Sequence, residues 1–85
     1  MEDLKKQILI AAYNWFHKNV NTASVRYDAF CTANNIQYDS DAQLSMAMDS
    51  LKNDGYIDIT PFAGITGFVA GITAAGVNYV EAMLR

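Results

Sequence analysis

Cysteine, histidine, tryptophan and proline each occur once in this chain, as Cys31, His17, Trp15 and Pro61. A lone cysteine excludes an internal disulfide and a cysteine-based zinc site, and it fits a reduced compartment. Cys31 stands beside Phe30 in a helical pattern with no base near it in sequence, so it reads as a small buried residue rather than a nucleophile. His17 falls near the end of a helical stretch, where a histidine suits the negative helix terminus better than it suits general-base work. No catalytic set surrounds either residue, and the chain is read as a non-enzyme without metal or cofactor.

Positive charge is missing over a long stretch: no lysine or arginine stands between Lys52 and Arg85. With a formal net charge of -3, the chain opposes nonspecific attraction to nucleic acid or anionic lipid. The aspartates Asp39, Asp41, Asp49, Asp54 and Asp58 do not alternate as a calcium loop requires, and no terminal glutamate follows them. Gly64-Ile65-Thr66-Gly67 lacks the lysine and spacing of a phosphate loop. A membrane span is also missing. Residues 59–80 carry no charge and include Gly67-x-x-x-Gly71, but Pro61, four glycines, three threonines and Asn78 interrupt them. Glu2 and Asp3 occupy the place where a secretory signal carries only bases. The expectation is a cytoplasmic protein with no membrane association.

What is present is enough apolar surface for one core in a single domain spanning residues 1–85. Such a chain buries only about 60% of its unfolded surface, so its stability margin is thin. Leu4, Ile8, Ala11 and Trp15 recur at helical spacing and predict a first helix over 2–19. Leu9, Tyr13 and Phe16 widen its apolar arc, which either deep burial or a homodimer seam explains. Ser24 is expected to cap a second helix over 25–34 that buries Ala29, Phe30 and Ala33, with Asn34-Asn35 closing it. Asp39 or Ser40 is expected to cap a third helix ending near Asn53. Leu44, Ala47, Met48 and Leu51 face the core there, and Ala42, Met46, Asp49 and Asn53 face out. Gly55 supplies a positive φ after it. Tyr56–Ile59 and Gly67–Ile72 read as a hairpin with residues 60–66 at its tip. Thr73 caps a last helix over 74–84 that turns Tyr79, Val80, Met83 and Leu84 inward.

The order of these elements, with Leu51, Gly55, Tyr56 and Ile57 closing one helix and Ile72, Thr73, Gly76 and Tyr79 opening another, resembles the winged helix-turn-helix family. The nearest resemblance is to small bacterial and phage-type regulators. It covers essentially the whole chain. It implies an α+β, mostly α fold: a three-helix core, a two-stranded β-wing and a C-terminal helix. It also implies a dimeric DNA-binding transcriptional regulator. Carried onto this sequence, the third helix would present Gln43, Met46, Ser50 and Asn53 to duplex DNA, with Tyr38 and Ser40 reaching phosphate. The chain departs from the family pattern in its wing, where Phe62, Ile65 and Phe68 stand in place of bases. The alternative is therefore a winged-helix protein–protein interaction module that does not bind DNA.

Overall fold

The first helix forms where the sequence places its apolar stripe, but it changes pitch partway. In the computed structural model, which describes residues 2–61 and 67–85, α1 covers Asp3–Ala12 and continues as a π-helical turn over Tyr13–Lys18. The wider turn lets Trp15 and Phe16, neighbours in sequence, both reach Phe30, with ring centroids 6.1 and 6.3 Å away. It also stacks His17 on Tyr13 at 5.2 Å and sets the Lys18 ammonium 5.9 Å from the Tyr13 ring centroid.

The remaining elements are β1 (Val25–Arg26), α2 (Tyr27–Ala33), α3 (Asp41–Asn53), β2 (Ile57–Pro61), β3 (Gly67–Ile72) and α4 (Ala74–Met83). The fold is small, α+β and mostly helical, with one three-stranded antiparallel sheet ordered β1-β3-β2. A two-stranded wing was expected. The third strand is Val25–Arg26, which pairs with Val69 and Phe68. That pairing corrects the second helix: it begins at Tyr27, its N-cap is Arg26, and Ser24 caps nothing. Tyr27, Phe30 and Cys31 are buried from it, whereas Ala29 and Ala33 are exposed. Asn35 takes the left-handed conformation, with φ 56°, that lets asparagine close a helix.

Ile8, Leu9, Phe30, Met48, Leu51, Ile57, Val69 and Val80 form the fully buried centre. All the helices and the sheet thus meet in one core, and each large side chain there contributes about 1.5–3 kcal/mol. Around this centre, two capping devices lock the chain. Gly55, at φ 83°, reverses the chain after α3 where a side chain would be strained. Thr73 then ties α4 to that turn. Its N–H donates to the Tyr56 carbonyl at 3.0 Å, its hydroxyl donates to the Gly55 carbonyl at 2.6 Å, and the hydroxyl oxygen accepts from the Gly76 N–H at 3.0 Å. Val80 faces the core and Tyr79 and Met83 are half-buried, but Leu84, expected inside, is 60% exposed.

Candidate functional site: the outer face of the third helix

Local chemistry fixes where α3 begins. The Ser40 hydroxyl oxygen accepts from the Gln43 N–H at 3.1 Å, and the Gln43 side-chain oxygen accepts from the Asp39 N–H at 2.6 Å. Together they resemble a Ser-x-x-Gln capping box, with the Gln43 side chain reaching the N–H one residue before the N-cap. Two residues offered as DNA contacts are therefore occupied within the chain. Ser40 satisfies the helix terminus, and Gln43 folds back on the preceding turn. The pattern Ser40-Asp41-Ala42-Gln43 carried this signal in the sequence.

Beyond the cap, Ala42, Met46, Asp49 and Asn53 face solvent at the expected helical spacing. Met46 is 72% exposed, although a methionine gains from burial. Gln43, Met46 and Ser50 do come together. With Glu2 and Lys5 of the N-terminal segment and Ala47, they line a hollow of about 330 Å³ between α1 and α3. Lys5 is held there by Asp54 at 3.4 Å, a near-surface pair of small energetic value. Tyr38 lies apart, half-buried beside Cys31 and Ile36. Burial, then the Asp41 carboxylate, pushes its hydroxyl pKa upward.

Charge separates this face from the rest of the molecule. Residues 39–54 hold four aspartates (Asp39, Asp41, Asp49, Asp54) and one lysine, Lys52. The rest of the chain holds five acids and five bases. The entire formal charge of -3 thus resides in α3 and its flanking turns. All five of these side chains are exposed, and among the described residues no cation pairs with Asp39, Asp41 or Asp49. The absence of bases between Lys52 and Arg85 is plain in the sequence, whereas this concentration of acids emerges only from a running charge count along the chain.

The other candidates fall elsewhere. Phe62 and Ile65 lie outside the described residues. Phe68 sits in the middle strand, half-buried on the sheet face opposite the buried Val69, in register with Arg26 and Thr60. The dimer seam expected at Leu9, Tyr13 and Phe16 is corrected for Leu9 and Tyr13. Leu9 is 0% and Tyr13 5% exposed within one chain, and the Tyr13 hydroxyl donates to the Glu81 carboxylate at 3.2 Å. Phe16 is half-buried against Phe30. The wide apolar arc of the first helix packs within the chain against α2, α3, the sheet and α4.

Cys31 is fully buried, and burial, then the Asp28 carboxylate, raises its thiol to about 11, so it is no thiolate nucleophile at neutral pH. A cleft of about 550 Å³ lies between the π turn, the end of β3 and the start of α4, and is lined by Phe16, Ile72 and Val77 among others. Among the described residues, no helix is long and apolar enough to cross a membrane. No family model, curated protein or solved structure matches this chain.

Proposed function

We propose that the chain is a winged-helix interaction module whose third helix contacts protein rather than DNA. The arrangement of α2, a turn, α3, a β-hairpin and a closing helix supports the winged-helix reading. The observation that carries the functional half is the confinement of all excess negative charge to residues 39–54. In DNA-binding helix-turn-helix proteins the second helix of the motif enters the major groove, and its N-terminal residues meet the bases. Here that end presents Asp39 and Asp41, with Gln43 engaged in the cap. Each would face phosphate with like charge, whereas DNA affinity rests on neutralising phosphates. Met46, exposed at the centre of the same face, offers the apolar anchor that a protein interface uses.

The test is an anisotropy titration of a pooled random duplex library at about 50 mM salt, where phosphate contacts are strongest. The expected result is no saturable binding at micromolar protein. Saturable binding that weakens on Asn53→Ala would replace this reading with that of a DNA-binding regulator. One observation favours that second reading: Asn53 is exposed and Ser50 half-exposed on the outer face, and asparagine is a recognised reader of adenine.

A further inference from the structure

We infer that the occupant of the α3 face is a cationic amphipathic helix of a partner protein, which seats an aliphatic side chain in the hollow beside Met46. This inference rests on the protein-contact reading above and supplies its partner chemistry.

Charge complementarity selects a cation. The segment made of α3 and its flanking turns carries Asp39, Asp41, Asp49 and Asp54 against Lys52, while the remainder of the sequence has equal numbers of acids and bases. Asp54 already holds Lys5 at 3.4 Å, which leaves Asp39, Asp41 and Asp49 as the acids of this segment without an ion pair among the described residues. Asp41 and Asp49 lie at two levels along α3, so they match basic residues spaced about two turns apart on a facing helix.

The shape of the face selects a helix. Ala42, Met46, Asp49 and Asn53 form one ridge along a 13-residue helix, which at about 1.5 Å per residue is about 20 Å long. A partner helix of about four turns spans the same length and packs its own ridge beside this one. The hollow lined by Glu2, Lys5, Gln43, Met46, Ala47 and Ser50, about 330 Å³ in volume, admits a leucine-sized side chain. Glu2 and Lys5 line it together, so their charges offset, and Lys5 is already paired with Asp54. Met46, unbranched and polarizable, adapts to whichever aliphatic side chain arrives.

The experiment uses the full chain and three labelled peptides of about 14 residues, matched to α3 in length: an amphipathic leucine/lysine helix, its leucine/glutamate counterpart, and a lysine/serine peptide of equal charge without an apolar stripe. Anisotropy is read at about 50 and about 300 mM salt, a range over which screening cuts exposed charge pairs steeply. The leucine/lysine peptide is expected to bind saturably and to weaken about tenfold or more at the higher salt. The double variant Asp41→Lys/Asp49→Lys is expected to lose about tenfold or more at low salt, and Met46→Ser a comparable factor with its salt dependence unchanged. Asp58→Lys, an exposed acid on β2, serves as the control and should change affinity less than about twofold. A thermal melt of each variant establishes that it folds.

The inference is overturned if the leucine/glutamate or the lysine/serine peptide binds equally well. It is also overturned if Asp58→Lys weakens binding as much as the α3 variants do, or if the chain self-associates through Met46 instead. A chain that binds none of the peptides and no duplex refutes the cationic helix and leaves the protein-contact reading standing. A chain that binds duplex DNA refutes both.

Discussion

Replacing Gly76 by alanine tests how closely α4 approaches the turn after α3. Gly76 is buried in the first turn of α4. A Cβ built there would press on the Tyr56 carbonyl oxygen and lie 2.8 Å from the Ile72 Cγ1 atom. The Tyr56 carbonyl is backbone, and it also accepts the Thr73 N–H at 3.0 Å, so it cannot rotate away as a flexible side chain would. Helix propensity opposes this clash, because alanine is favoured over glycine inside a helix by about 0.8–1.0 kcal/mol. Overpacking against fixed atoms costs about 1–3 kcal/mol, and a backbone neighbour places this site at the upper end. The net expectation is a loss of about 2 kcal/mol. For a domain of this size that lowers the melting temperature by about 8–16 °C. Circular dichroism melts of Gly76→Ala beside the parent chain, with urea midpoints at equal protein concentration, measure it. An unchanged or raised melting temperature would refute the reasoning, because helix propensity alone would then decide the outcome.

The remaining predictions concern single interactions. Thr73→Val keeps the shape but removes both hydroxyl bonds, to Gly55 and Gly76, and should cost about 1–2 kcal/mol by urea unfolding. Val20 is a β-branched residue at φ 54° and 73% exposed, so Val20→Asn should stabilise the chain by about 1 kcal/mol in the same assay. Burial raises Cys31 from an ordinary 9.0 to about 11 and Tyr27 from 10.0 to about 12. Both groups stay protonated in the folded chain while the unfolded chain releases their protons. Their contribution is therefore complete below pH 9 and is lost as pH rises through about 11 to 12. Urea midpoints measured from pH 8 upward should fall, and Cys31→Ala should flatten the part of the decline that begins first. Thiol labelling of the native chain at pH 8 should be far slower than that of the urea-unfolded chain.

Elements set by local chemistry were legible in the sequence. The turn at Gly55, the Thr73 cap on the Gly76 N–H and the cap before α3 each act within a few residues of themselves, so their patterns point directly at their structures. The hairpin strand Gly67–Ile72 falls where its apolar content and flanking turn residues place it. Elements that exist through distant partners were not legible. Val25–Arg26 is a strand because Val69 and Phe68 lie opposite, and nothing in its own two residues distinguishes it from a helix start. Tyr13 looked like part of a free apolar seam because the sequence does not show Glu81 of α4 arriving beside it. The candidate site divides in the same way. Helical spacing places Met46 and Asn53 outward and the Ser40-x-x-Gln43 pattern marks the cap, whereas the approach of Glu2 and Lys5 to the same face depends on how α1 packs against α3.

The most direct test of the account is residue-resolved amide NMR of the intact chain, titrated in parallel with the leucine/lysine helix and with a random duplex pool at equal ionic strength. The peptide is expected to shift the amides of 41–53, with the largest changes around Met46 and Asp49, and the duplex to leave them in place. Shifts of the same amides by duplex, with none from the peptide, would contradict it.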